Sequence, residues 1–143
     1  MLAGLIALAL AAAFWGAALY IHVAEHPARM LLDDRNALAQ WGPSYAHAFN
    51  MQGGLAVASG VSGLAAAWLT GDLRWAGGAA LMLANWPYTV FGILPLNTRL
   101  KAIAPDAAGP STRAMLERWN RLHAVRTGLS GLAVIAYLWA AST

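Results

Sequence analysis

Residues 2–24 read LAGLIALALAAAFWGAALYIHVA, a run without one Asp, Glu, Lys or Arg. A helix crosses the hydrocarbon core of a bilayer with roughly 20 apolar residues, so this run is long enough to span. It is too long for the apolar core of a signal peptide and has no basic segment ahead of it, so it is expected to stay in the protein as a first span. The rest of the chain has the same character. Only 10% of the 143 residues are charged and 59% are hydrophobic, whereas soluble domains carry about 25% charged residues. A water-soluble globular enzyme is excluded, and about four spans with short connections use up the length.

The first span is expected to end at His26-Pro27, because proline disfavours helical geometry in the residue before it. Residues 27–43 then mix Arg29, Asp33, Asp34 and Arg35 with Met30, Leu31, Leu32, Leu38 and Trp41, the pattern of a short amphipathic helix at the interface, with Trp41 at headgroup depth. The next span is rich in small residues, Gly53, Gly54, Ser59, Gly60, Ser62 and Gly63, which let helix backbones approach closely within one chain or between copies in a homo-oligomer. Thr70-Gly71-Asp72 is a tight connection, and Pro87 lies inside the span after it. Pro95, Pro105 and Pro110 mark residues 95–112 as loop. The fold class expected is therefore all-α: one transmembrane domain over residues 1–143, an up-down-up-down four-helix bundle. Its spans are placed at about 2–26, 44–69, 73–94 and 113–141, with a short interfacial helix after the first.

Eight of the nine Lys and Arg residues, all but Arg74, fall on the side of the 27–43 and 95–118 segments or in the adjoining helix ends. The positive-inside rule makes that side cytoplasmic and puts both termini outside. The net charge of +3 is thus a topology signal and does not point to a nucleic-acid partner. No cysteine is present, which removes disulfides, thiolate metal sites and CxxC redox chemistry.

On this topology almost all the polar residues share one half of the bundle: His22, Glu25 and His26; Tyr45, His47, Asn50 and Gln52; Asn85, Tyr88, Thr89 and Asn97; Asn120, His123 and Arg126. Ionisable groups at membrane depth usually face the bundle interior or a wet cavity, so the set is a candidate site. His22-Val23-Ala24-Glu25-His26 reads H-x-x-E-H, the formal string of an inverted zinc peptidase but without the further ligands such an enzyme needs. His22, Glu25, His26, His47 and His123 form a candidate metal set, for copper, iron or a haem b, in a redox-protein reading. Trp119, His123 and Arg126 lie at i, i+4 and i+7, on one helix face. Arg126, the deepest cation, must pair with Glu25 or bind an anionic ligand. Trp41, Trp75 and Trp139 read as interface anchors, and Trp15, Trp86 and Trp119 as walls of an aromatic-binding pocket. A non-catalytic protein that binds lipid, quinone or partner helices is a third reading.

Four strings carry a family resemblance: Glu25-His26-Pro27-Ala28-Arg29, Trp41-Gly42-Pro43-Ser44-Tyr45, Pro87-Tyr88-Thr89 with Leu94-Pro95-Leu96-Asn97-Thr98-Arg99-Leu100, and Trp119-Asn120-Arg121-Leu122-His123-Ala124-Val125-Arg126. Together they resemble the anthrone oxygenase-like family of small four-helix membrane proteins, much of it bacterial, over nearly the whole chain. The resemblance implies a bacterial inner-membrane location and an oxygenase that uses O2 on a small aromatic, since the better understood fungal members oxidise anthrones to anthraquinones. The matching positions are Pro87, Tyr88, Thr89, Pro95, Asn97, Trp119 and Arg126. The first-segment H-x-x-E-H is closer to the bacterial branch, whose substrate would be another phenol or quinol. Such chemistry requires no cofactor: a base, His47 or His123, a cation, Arg126, and groups that hold the ring suffice. Tyr45, Asn50, Tyr88, Thr89, Asn97, Trp119 and Asn120 are the candidates for holding it.

Overall fold

A computed structural model describes residues 1–142. Four helices are each long and apolar enough to cross a membrane: α1, Leu2–Arg29; α2, Asp34–Thr70; α3, Leu73–Lys101; and α4, Pro110–Ala141. No strand occurs among the described residues. Each helix packs against its neighbours in sequence, and α4 closes the ring against α1. The bundle is up-down-up-down, as its short connections require. Its outer face is apolar, with Trp68, Leu73 and Phe91 at least 80% exposed, a surface suited to lipid and not to water.

The helix ends follow local chemistry. Asp33 caps α2, accepting from the Asn36 backbone N–H at 2.9 Å, and the Asn36 amides hold its carboxyl below the usual range. Gly71 ends α2 at φ +72°, the left-handed conformation a C-terminal cap favours. Asp72 then caps α3 by accepting from the Arg74 N–H at 2.9 Å. Pro110 opens α4, where its missing N–H is harmless.

Four boundaries differ from the sequence reading, one of them the start of α4 at Pro110 instead of residue 113. The segment expected as a separate interfacial helix is helical, but it is continuous with the second span, because nothing after Asp33 interrupts the helix and Pro43 is carried inside it. At 1.5 Å per residue this helix of 37 residues is roughly 55 Å long, well beyond a hydrocarbon core of about 30 Å. Its first turns therefore extend the bundle past the membrane. The first and third helices also run on beyond residues 26 and 94, to Arg29 and Lys101. Both contain a π-helical turn, Ile21–Glu25 and Thr89–Ile93, ending two residues before Pro27 and Pro95. A proline ring crowds the carbonyl four residues back, and a widened turn just before it relieves that crowding, so the helix continues.

The core has two parts. Toward the termini, Ala7, Ala11, Phe14 and Ala18 of α1 meet Ala56, Met82, Tyr137 and their neighbours. Toward the other end, Trp41, Tyr45, Ile93, Leu100, Leu116 and Trp119 form a second, aromatic cluster. Small residues set the spacing of the first part. Ser59 Oγ donates to the Ala7 carbonyl at 2.8 Å, and the Tyr137 hydroxyl donates to the Ser59 carbonyl at 3.2 Å. A Cβ on Gly63 would lie 2.3 Å from the Tyr137 hydroxyl, and one on Gly78 2.4 Å from its ring. The glycine stripe of α2 is thus used inside the chain at Gly63, and Gly78 of α3 meets the same Tyr137 ring. Gly63→Ala and Gly78→Ala are expected to destabilise the detergent-solubilised protein by about 1–3 kcal/mol. Gly54→Ala and Gly77→Ala, where a Cβ meets nothing within 4 Å, should be neutral or stabilising in the same thermal unfolding assay.

Candidate functional site

The polar groups at the aromatic end are organised around Glu25. Its carboxylate accepts from Arg29 Nη2 at 2.6 Å, from Ser44 Oγ and from Gln40 Nε2 at 3.4 Å, while Arg29 Nε donates to Gln40 Oε1. The pair joins positions i and i+4 of α1, and Ser44 and Gln40 tie it to α2. Arg29 is buried and its guanidinium lies 5.7 Å from the centre of the Trp119 ring. The expected Glu25–Arg126 alternative is not formed, because Arg29 is nearer in sequence and already occupies the carboxylate.

Trp119 is the centre of an aromatic stack. His26 and His123 lie against it at 6.4 and 5.0 Å, both near parallel, and Trp41 and Tyr45 meet it edge-on at 6.1 and 6.3 Å. Trp41 stacks on Tyr45 at 5.3 Å, and Lys101 Nζ lies 5.2 Å above Tyr45. Trp41 is therefore core and not an interface anchor. It stands two turns inside α2, one turn before Tyr45, on the face that meets α4. Trp75 is likewise buried, against Tyr137, whereas Trp139 is exposed as an anchor should be. Trp15 and Trp86 are at the margin of exposure, and only Trp119 of the three expected pocket walls is fully inside.

Arg126 lies where the two core clusters meet. It is 4% exposed, no carboxylate pairs with it among the described residues, and its Nε has no hydrogen-bond partner. The Phe14 ring lies 5.3 Å from the guanidinium carbon. A cation at the bilayer centre costs about 2.5–3.5 kcal/mol on insertion scales, and a cation–π contact returns about 0.5–2 kcal/mol. The remainder favours a polar or anionic ligand beside Arg126.

A small cavity adjoins it, enclosing about 10 Å³ and lined by Tyr45, Phe49, Gln52, Trp119, His123 and Arg126 together with the Glu25–Arg29 pair. That is the space of about one water. Several buried polar atoms around it lack partners: Gln52 Nε2, Trp119 Nε1, His123 Nδ1 and Arg126 Nε. Three of these four are donors only, and Glu25, the one carboxylate among the lining residues, accepts from Arg29, Gln40 and Ser44 through Oε1. A wider groove of about 310 Å³ opens between α1 and α2, with His47 and Met51 on its rim.

The structure gathers Tyr45, Trp119, His123 and Arg126, as the helical spacing implies, and leaves other candidates apart. His47 is exposed in the outer groove and Asn50 is exposed on α2. His22 Nδ1 lies 3.2 Å from Asn120 Oδ1, which engages both. The Tyr88 hydroxyl donates to the Leu122 carbonyl at 2.7 Å and Thr89 Oγ1 to the Asn85 carbonyl at 2.7 Å, so both are committed to the backbone. Asn97 is fully buried beside Tyr45. Among the described residues no three His, Asp or Glu side chains converge as metal donors. His26 and His123 each lie against the Trp119 indole, and Glu25 of the H-x-x-E-H string faces Arg29. Arg29, Gln40, Ser44 and Phe49 are the members that sequence reasoning left out of the site. The Glu25-x-x-x-Arg29 spacing was the available signal for Arg29.

The fold and site define a small four-helix membrane bundle with an electropositive, donor-lined cavity near one end. The family profile described as anthrone oxygenase matches residues 41–136, and the chain belongs to that family. No curated protein matches the chain, and no solved structure does.

The Glu25–Arg29 pair yields a direct check. Removing one partner of a fully buried pair strands the other and costs about 3–5 kcal/mol; with the Glu25 side chain 21% exposed, the cost here lies at the low end of that range or below. Arg29→Met should therefore destabilise the protein. The double variant Glu25→Gln/Arg29→Met should recover most of that loss in a double-mutant cycle read by thermal unfolding.

Proposed function

We propose that the protein is a membrane oxygenase that uses O2 to oxidise a small aromatic of the anthrone, phenol or quinol type, and that an anthrone, a carbon acid through its ring CH2, reacts as follows. The observation that carries this reading is Arg126, buried and unpaired beside His123 and Gln52 in a cavity lined by unpartnered donors. Family membership supports the reaction class. His123 removes a proton from the ring carbon, and the electron pair spreads to the ring oxygen as an oxyanion held by Arg126 and Gln52. That carbon then gives electrons to O2 and forms a C–O bond, and the proton returns to the distal oxygen to give a hydroperoxide. Loss of the remaining hydrogen on that carbon, with cleavage of the O–O bond, leaves a carbonyl and water. The balance is one ring CH2 and one O2 to one C=O and one H2O, with every electron supplied by the substrate. His123 is preferred to His47 as the base because it shares the cavity with Arg126, and a ring seated in the adjoining groove must bring its CH2 up to the cavity mouth for His123 to take the proton.

Replacing Arg126 by Gln is expected to lower kcat by about 10²–10³-fold, the range for loss of an oxyanion donor, and His123→Ala by about 10²–10⁴-fold. O2 uptake with anthrone in lipid nanodiscs is the measurement. Wild-type rates in both variants would remove these roles.

In this reading the site end faces the cytoplasm of a bacterial inner membrane, supported by the Lys and Arg distribution. The chain has no cysteine, so single-cysteine variants report without background. An impermeant maleimide applied from the periplasm should label Ser142→Cys and spare Ala107→Cys. The reverse labelling would invert the orientation.

A further inference from the structure

We propose that the groove between α1 and α2 is the outer half of the binding site: it takes the apolar ring body of a ligand drawn sideways from the bilayer, while Gln52 and Arg126 hold the ligand's oxygen in the cavity behind. The oxygen-bearing aromatic class of that ligand rests on the oxygenase reading. The location of the groove and the wall it shares with the cavity do not.

The inner cavity, at about 10 Å³, admits an oxygen atom and not a ring. The groove, at about 310 Å³, is at the lower end of ordinary ligand pockets, which run from about 300 Å³ upward. The two share one wall, made of Ile21, Glu25, Ser44, Ala48 and Gln52. Gln52 is 1% exposed and its Nε2 lacks a partner, so an unsatisfied donor stands where groove and cavity meet. A ring in the groove would place an acceptor within reach of Gln52 first and Arg126 behind it.

The way in from the loop end is closed. Trp41, Tyr45 and Trp119 stack across it, all buried, with Arg29 over Trp119 and Lys101 over Tyr45. The groove by contrast opens past Ala17, Tyr20 and Met51 on the lipid-facing side of the bundle, where Tyr20 and Met51 are exposed. The Ser44 hydroxyl donates to Glu25 from α2 to α1, and with it fastens the groove's inner end. A flat aromatic dissolved in the bilayer meets this opening without crossing water.

The test measures binding without turnover. Radiolabelled anthraquinone, three rings, and benzoquinone, one ring, are bound to the full chain in nanodiscs of phosphatidylcholine and phosphatidylglycerol. Ala17→Trp and Ala48→Trp fill the groove and should weaken anthraquinone about tenfold or more, roughly 1.4 kcal/mol, with a smaller effect on benzoquinone. Leu132→Trp, on the lipid face of α4, should bind as wild type. A folded Ala17→Trp or Ala48→Trp with unchanged anthraquinone affinity would overturn the proposal. The wild-type chain supplies an independent reading: a photoreactive anthraquinone should label Tyr20 or Met51, and labelling confined to Leu38, Ile103 or the rest of the loop end would overturn it. Groove labelling without any O2-dependent turnover would contradict the oxygenase reading and leave the groove standing. Turnover without groove labelling would do the reverse.

Discussion

A guanidinium held inside an apolar bundle with no carboxylate to neutralise it is the constraint around which the rest is arranged. Arg126 lies at the junction of the two core clusters, with Phe14 of the terminal half on one side and the His123–Trp119 stack on the other. The acid that could have satisfied it, Glu25, is engaged by Arg29, Ser44 and Gln40. The molecule thus separates a satisfied ion pair from an unsatisfied cation on one cavity wall. The first fastens α1 to α2, and the second is left to meet whatever enters.

The backbone serves the same end. Both π-helical turns lie at the level of the site and precede prolines that would otherwise end the helices there. They let α1 and α3 carry their polar residues past the point where an unmodified helix would stop. Farther along, alanine and glycine at the interior positions bring the helices close around Tyr137 and Phe14. The terminal half is thereby a packed support, and the buried polar cluster is confined to the half that holds the aromatic stack.

Much of the fold was legible because a bilayer imposes length and polarity rules that a sequence shows directly. The run 2–24, the Gly71-Asp72 turn and the helical spacing of Trp119, His123 and Arg126 all appear as expected. The helix ends at residues 26 and 94 were misjudged because Pro27 and Pro95 read as breakers and the π-helical turns before them are not encoded in a local pattern, and the break near 43 because the amphipathic 27–43 segment read as a separate helix. Within the site, i, i+4 and i+7 spacing identified the α4 face. Which helices meet across the bundle is a tertiary fact, so His47 was grouped with His123 although it faces the groove, and Trp41 was placed at the surface although it stacks on Tyr45. Arg29, read as a topology charge, is a buried member of the site because its partner Glu25 is one turn away.

A donor-lined cavity with a spare cation should prefer the ionised form of an aromatic carbon acid, and that preference can be seen without catalysis. Anthrone bound to the wild-type protein under strictly anaerobic conditions, at a pH where free anthrone is the neutral ketone, is examined by absorption spectroscopy. Stabilisation of the oxyanion beside Arg126 predicts the long-wavelength band of the delocalised enolate, saturating with protein concentration. Bound anthrone that keeps the spectrum of the neutral ketone would contradict the account.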